Sequence, residues 1–297
     1  MKSMSNTKDM TMKQWLHNKK RRSYSVILLI FIGLCVTVAV SLIGILIGFI
    51  LYRGLGHISW EFLTTARSAL RGTIGILPNI LYTFYLIITT LLIVLPIGIG
   101  AAIYLNEYAT NRRLVRIIEF TTETLAGIPS IIYGLVGFLL FAQGLGLRVS
   151  ILAGALTLSI LSLPTIVRTT QEALRTVPLS YREGAFALGA TKWYMIRTII
   201  LPSSIDGIIT GVILAIGRMV GESAALLFTA GTGYALVTNY FQALGTSGGT
   251  LSVALFVYAT EHGNFNVSFA IASILVIIVL LLNFSVKLVK RKLRKVK

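Results

Sequence analysis

Six stretches of this chain are apolar over roughly the length needed to cross a hydrocarbon layer, and that property limits the fold before any motif is read. They fall at residues 25–52, 78–105, 115–142, 149–174, 203–230 and 265–287. Lipid offers no water to satisfy backbone N–H and C=O groups, and no alternating pattern marks barrel strands, so each stretch is expected to be helical. The expected class is an all-α polytopic membrane protein with six transmembrane helices. With 55% apolar residues overall, a soluble globular fold is excluded. The first run is too long for a signal-peptide core and lacks a small-residue cleavage site, so it reads as a retained helix. The single cysteine, Cys35, lies inside it and permits no intrachain disulfide.

A net charge of +17 would suggest nucleic acid if the basic residues were spread over one surface. They are sorted along the chain instead. Lys2, Lys8, Lys13, Lys19, Lys20, Arg21 and Arg22 precede the first span, and Lys287, Lys290, Arg291, Lys292, Arg294, Lys295 and Lys297 follow the last. Arg112, Arg113 and Arg116 lie between spans two and three, and Arg168, Arg175, Arg182, Lys192 and Arg197 between four and five. The alternate loops keep only Arg53, Arg67, Arg71 and Arg148. Cationic loops stay on the cytoplasmic side during insertion, so both termini and the loop 175–202 are expected there. The basic ends then contact membrane lipids through anionic headgroups, and no nucleic-acid partner is implied.

The organisation that follows is a basic cytoplasmic arm at 1–24, mobile or interfacial, a transmembrane domain at 25–287 and a basic cytoplasmic tail at 288–297. External loops are expected at 53–77, amphipathic around Trp60, Phe62 and Leu63, and at 231–264, a re-entrant or interfacial helix broken by Gly245, Gly248 and Gly249. No long internal repeat is visible, which argues against a carrier built on inverted repeats.

The long polar interval, EGAFALGATKWYMIRTIILP at 183–202, carries the strongest local signal. Pro178 ends the preceding helix, and Ser180 with Glu183 has the spacing of a capping box that starts a short helix. Ala185, Phe186 and Leu188 give that helix an apolar side, and Gly189 offers the left-handed conformation that stops it. Thr191 can cap a second short helix, and Pro202 marks the start of span five. A two-turn helix has marginal stability alone, so it is either a plain connector or is held by tertiary or partner contacts.

The order Glu183, Gly184, Ala185, three residues, Gly189, nine residues, Ile199, one residue, Leu201, Pro202 resembles the EAA loop of ABC importer permeases. Glycine at the second position is the departure, and it loosens the helix by up to about 1 kcal/mol relative to alanine. PIGIGAAIYLNEYA at 96–109, ETLAGIPSIIYGL at 123–135, LPTIVRTTQEALRTVP at 163–178 and GRMVGESAALLFTAG at 217–231 are similar to phosphate-transporter permeases of the PstA type. Tyr82 before Thr83 departs from the Gly-Thr pair expected at the opening of span two. The resemblance covers most of spans two to five and implies a type I ABC importer permease-like bundle. It also implies that Glu183, Gly184, Ala185, Phe186, Leu188, Gly189, Leu201 and Pro202 form the ATPase-coupling segment.

The resemblance further implies a non-catalytic subunit with no cofactor of its own, ATP and Mg being bound by a partner ATPase. The implied partners are a second permease of the PstC type, two ATPase subunits of the PstB type and an external phosphate-binding protein of the PstS type. The cargo is inorganic phosphate, with sulfate, molybdate or another solute on the same machinery as the variant and a self-contained channel or ion-coupled carrier as the outsider.

Charged residues within spans are costly unless paired or wetted, so Arg218 and Glu222, four apart on one face of span five, are candidates for the substrate path. They read either as a mutually neutralised pair or as a phosphate contact, Arg218, held by Glu222; arginine before glutamate is the weaker helical order, and a guanidinium suits phosphate oxygens. Arg168 and Glu172 repeat the spacing at the inner end of span four, as a snorkelling pair or as a second basic step of the path. Glu119 and Glu123 are expected to be neutralised by Arg112, Arg113 and Arg116.

Pro96, Pro129 and Pro164 are expected to kink their spans. Gly207 with Gly211 and Gly217 with Gly221 would permit an inter-subunit seam. The sequence contains no GxxxxGK[ST] loop, HExxH, GxSxG elbow or Cys/His metal set, and His17, His57 and His262 are scattered. Ser130 has no identifiable general base for intramembrane proteolysis, so energy is expected from another chain.

Overall fold

The structure is a computed structural model that describes the backbone of residues 3–68 and 73–295 and the side chains of residues 25–68 and 73–288. The side chains of the arm 1–24, Arg71, and the tail from Lys290 onward lie outside the described residues. The chain divides into two compact units, residues 1–52 and 53–297.

The first unit lies on one helix, α1 (Ser3–Leu55). No proline or glycine occurs before Gly33, so the backbone stays helical through the arm expected to be mobile or interfacial. Its portion Ser25–Leu55 is long and apolar enough to cross a membrane. Side chains from Val26 to Leu46 are exposed around the whole circumference, the pattern of a helix solvated by lipid.

The second unit opens with the short helix α2 (Trp60–Thr64) and the strands β1 (Ala66–Ser68) and β2 (Thr73–Ile76). The strands pair antiparallel with Ala66 opposite Ile76 and Ser68 opposite Thr73. Helix α3 (Leu77–Ile103) continues into a π-helical turn, Tyr104–Tyr108, and α4 (Arg112–Ala126) is followed by α5 (Ser130–Gly137) and a π-helical stretch, Phe138–Gly144. Next come α6 (Ile151–Arg175), α7 (Leu179–Ala187), α8 (Lys192–Met195), a π-helical turn at Ile196–Ile200 and α9 (Leu201–Gly221). The chain finishes with α10 (Ala224–Thr229), α11 (Tyr240–Leu244), α12 (Leu251–Thr260) and α13 (Phe265–Lys295).

Helix α6 is the axis of this unit, with α3 and α9 packed along it. Gly207 and Gly211 of α9 abut Ala173 and Thr169 of α6, where added methyl groups would clash. This glycine pair is therefore an intrachain seam, contrary to the inter-subunit role expected of it. Gly217 and Gly221 have nothing within 4 Å of a built Cβ and leave that end of α9 open.

Among the described residues, five helices are long and apolar enough to cross a membrane, and the count becomes six if a bent pair is one span. The bent pair corrects the third expected span. Residues 112–126 and 130–144 meet at 98°, because Pro129 cannot continue a helix from Ile128 and Gly127 closes the preceding one. Pro96 and Pro164, by contrast, lie inside helices that continue past them. The fifth expected span is also shifted: the continuous helix covers Lys192–Gly221, and residues 222–223 break it before α10.

On the side of the bundle where α3 begins, Tyr82 is buried and donates its hydroxyl to Ala235 O at 2.8 Å. Its ring fills the space that a side chain at position 248 would need, 2.7 Å from a Cβ built on Gly248. Thr83 donates to Asn79 O and accepts the Leu251 N–H at 3.0 Å, tying α12 to α3. Close contact therefore survives the Tyr82 departure through a glycine on the other side of the contact. The region 231–264 holds two short helices, α11 and α12, of which α12 is apolar.

Candidate coupling surface and substrate path

The loop between α6 and α9 is built by its prolines and glycine. Pro178, with φ −56° and ψ 143°, disfavours a helical Val177 and lets a new helix start immediately after it. The helix start therefore lies ahead of Ser180, which sits in the first turn, and no side-chain cap forms; the expected capping box of Ser180 and Glu183 is absent. At the other end the reading holds. Gly189 takes φ +76°, its N–H donates to Phe186 O at 2.9 Å, and Ala190 N–H donates to Ala185 O at 3.0 Å. Thr191 Oγ1 accepts the Tyr194 N–H and starts α8.

Helix α8 runs without interruption into α9 through the π turn, in which Leu201 N–H donates to Ile196 O. The extra residue of that turn carries the helix past Pro202, which has no N–H to donate. Pro202 is thus inside a long helix and not at the start of a separate span.

Ala185, Phe186 and Leu188 do not share one apolar side. Ala185 is buried with Leu105, Leu174, Val177, Met195 and Ile196, whereas Phe186 is half exposed and Leu188 is 90% exposed. Leu179, Tyr181, Trp193 and Tyr194 are exposed as well. Glu183 and Gly184 face outward, and a Cβ at Gly184 would meet nothing. The result is a small exposed apolar knob with the Glu183 carboxylate beside it.

The knob is anchored from below by a residue that sequence reading counted only as a loop charge. Arg182 Nη2 lies 2.9 Å from Glu107 Oε1 in the π turn after α3, with Nε at 3.3 Å from the same oxygen. Arg182 also donates to Leu174 O and Val177 O at the end of α6. Asn106 Nδ2 donates to Glu107 Oε1 at 2.7 Å. The side chains are 15% and 6% exposed, making this the most buried ion pair among the described residues. Removing one partner of such a pair costs about 3–5 kcal/mol because the other charge stays buried. No short-range pattern announces the contact, since the partners are 75 residues apart.

Between α4 and α6 lies a cleft of about 250 Å³ lined by Glu119, Glu123, Arg168, Glu172 and Arg175. Arg168 bonds both Glu123 at 3.2 Å and Glu172 at 3.1 Å, and Arg175 holds Glu119 at 2.6 Å. Gln171 adds a 3.3 Å bond to Glu119. Glu119 and Glu123 are therefore neutralised across the cleft by α6 and not by Arg112, Arg113 and Arg116 of their own helix. Glu119 and Glu123, four apart on α4, share the face turned to α6, while Arg116 donates Nε to Arg112 O at 3.4 Å. Three carboxylates against two guanidinium groups leave this cleft without a net positive charge.

Arg218 and Glu222 do not pair either. Helix α9 ends at Gly221, Glu222 is extended at φ −74° and ψ 121°, and its Oε1 accepts the Ala225 N–H at 3.1 Å. Its carbonyl accepts the Ser252 hydroxyl at 2.6 Å. The carboxylate thus satisfies a free N–H at the start of α10, which a continuous helix would not expose. Half-buried Arg218 makes no ion pair among the described residues and lies within electrostatic reach of the Tyr133 phenol on α5. The Tyr133 hydroxyl donates to Leu125 O at 2.7 Å across the break of the bent span. The break after Gly221 thus separates Arg218 from Glu222, and the Tyr133 hydroxyl bridges the break of the bent span.

Residues 94–295 match the family described as binding-protein-dependent transport system inner membrane component. The chain is 40% identical over 199 residues to a probable ABC transporter permease protein, YqgI, of Bacillus subtilis, covering 67% of this chain and 68% of that one. It is 34% identical over 238 residues to the phosphate transport system permease protein PstA of Haemophilus influenzae, covering 80% and 83%. A chain in the crystal structure of a bacterial alginate ABC transporter bound to its periplasmic protein superposes with a TM-score of 0.60 at 15% identity, covering 91% of this chain and 93% of that one. The fold is that of type I ABC importer permeases.

Proposed function

The chain belongs to the family of binding-protein-dependent transport system inner membrane components, and we propose that it is the permease subunit of an ATP-driven importer of inorganic phosphate. Its own role is non-catalytic. A second permease of the PstC type completes the path, two PstB-type ATPases bind ATP and Mg and hydrolyse the nucleotide, and a PstS-type protein delivers phosphate from outside. Both termini and the loop 175–202 face the cytoplasm, following the distribution of basic loops.

The observation that carries the coupling role is α7: two turns long, stopped by Gly189, with Phe186 and Leu188 exposed and Glu183 beside them. An ATPase groove closing on this knob moves whatever the knob is anchored to. For the cargo, the supporting observations are the half-buried Arg218, which has no carboxylate partner among the described residues, and the 34% identity to a phosphate permease. A guanidinium binds a tetrahedral oxyanion through paired N–H donors, and a single such group favours entry while still permitting release. Arg168 belongs to the inner mouth, where Glu123 and Glu172 already hold it, so it contributes shape rather than a second anion seat.

The test is to purify the chain with the subunits that co-assemble and measure which oxyanion, delivered by its binding protein, stimulates ATP hydrolysis. Phosphate is expected to stimulate and to outcompete sulfate in uptake. Stimulation by sulfate or molybdate alone would reassign the cargo. Uptake independent of any ATPase would remove the importer reading altogether.

A further inference from the structure

We infer that the Glu107–Arg182 pair locks the coupling helix, the end of α6 and the π turn after α3 into one rigid body, so that α3 moves with the knob. The inference rests on the proposed coupling role of α7 and adds the residues that pass the motion on. Arg182 is a positioning residue in this reading, since it touches neither cargo nor nucleotide.

The geometry is specific to three elements. Arg182 projects from α7, and its guanidinium is divided between the Glu107 carboxylate on one side and the Leu174 and Val177 carbonyls on the other. Leu174 lies in the last turn of α6 and Val177 just past it, where a cation is favoured by the helix dipole. Glu107 is presented by the π turn, in which Ala109 N–H donates to Tyr104 O at 2.9 Å. One extra residue in a helical turn rotates the following side chains by roughly 100° and is a recurrent device at working sites. Here it directs Glu107 to α7, and Asn106 steadies the carboxylate through a 2.7 Å bond.

Apolar packing alone would let α7 slide. The contact beneath the knob is supplied by Ala185, a single methyl, which fills little volume against Leu105 and Met195. A buried charge pair with several shared hydrogen bonds resists sliding more steeply, because small displacements leave desolvated charges unsatisfied. The same neighbourhood is open elsewhere: Glu183, Tyr181 and Leu188 remain outward for a partner while Arg182 is committed inward. The knob therefore has an outer surface for docking and one inward residue for transmission.

The experiment uses the assembled complex in proteoliposomes, with Cys35→Ser and spin labels at Thr110→Cys and Ser180→Cys, both exposed positions flanking the pair. The distance between the labels is measured without nucleotide and after trapping with ATP and vanadate. It is expected to stay the same in both states when the pair is intact. A distance that changes between states overturns the inference, whatever any variant does.

With Glu107→Gln or Arg182→Gln, the distance is expected to broaden on trapping, and phosphate imported per ATP hydrolysed to fall by about tenfold while hydrolysis continues. The exchange Glu107→Arg with Arg182→Glu is expected to recover part of that ratio, a rescue that loss of generic stability would not produce. An unchanged ratio in an assembled Glu107→Gln complex also overturns the inference. If no ATPase co-assembles with the unaltered chain, it is the coupling role of α7 that fails, a result separate from either of these.

Discussion

Glu222 accepts the Ala225 N–H at 3.1 Å instead of pairing with Arg218, four residues earlier, which has no carboxylate partner among the described residues. The two residues share a sequence spacing but not a helix, since α9 stops between them. Different substitutions should therefore separate their roles. Arg218→Gln is expected to leave assembly and ATPase docking intact and to lower phosphate flux by roughly one to two orders of magnitude, the consequence of losing a charge-assisted contact of about 1.5–3 kcal/mol. Glu222→Gln keeps an oxygen that can accept the Ala225 N–H, and flux near that of the unaltered chain is expected. Glu222→Ala removes the cap and should lower stability by about 1 kcal/mol. Radiolabelled phosphate uptake in proteoliposomes, read beside the thermal midpoint in detergent, checks all three.

Leu188 and Gly189 test the docking knob from two directions. Leu188→Asp places a charge on an apolar contact surface and is expected to abolish co-purification of ATPase activity while membrane insertion is unchanged. Gly189→Ile forces a β-branched residue to φ +76°, at a cost of about 1–2 kcal/mol that unwinds the end of α7. Uptake is expected to be lost with the chain still in the membrane. Gly184→Ala, whose added methyl meets nothing within the chain, should instead be tolerated.

At the opposite end of α3, Gly248 exists for the Tyr82 ring. Gly248→Ala would set a methyl 2.7 Å from ring carbons and is expected to cost about 1–3 kcal/mol, the range for overpacking a filled core. In a Tyr82→Gly background, where the ring is gone, Gly248→Ala is expected to cost less than it does alone. The measure is the thermal midpoint of the purified chain, and equal midpoints for Gly248→Ala and the unaltered chain would contradict the packing.

The cleft between α4 and α6 makes a contrasting prediction. Arg168, Glu123 and Glu172 are all about three-fifths exposed, so their ion pairs are screened and each contributes at most about 1 kcal/mol. Arg168→Gln is expected to change stability little and to leave phosphate flux within about threefold, because the carboxylates on both sides already occupy its donors. A loss of flux as large as that of Arg218→Gln would place a cargo contact here.

Much of the class was legible without coordinates. Long apolar runs required helices, and Gly189 and Thr191 marked helix ends because caps depend on the chemistry of one residue and its immediate backbone. Pro129 was readable as an interruption, though not as a right-angled one: proline forbids continuation but leaves the new direction to packing. The capping box at Ser180 was misread for a related reason, since Pro178 started the helix first.

What depends on local stereochemistry and hydropathy was therefore determined by the sequence: membrane class, helical content, and the short helix with its glycine stop. The partners of charged groups were decided only by tertiary structure. Glu119 and Glu123 turned to Arg175 and Arg168, Glu222 to a helix N–H, and Glu107 to Arg182 across 75 residues. A charge placed in a poorly solvating interior must find whichever complement the folded backbone brings within 3 Å or so, and that choice belongs to helix packing, to π turns and to chain breaks rather than to spacing along the chain.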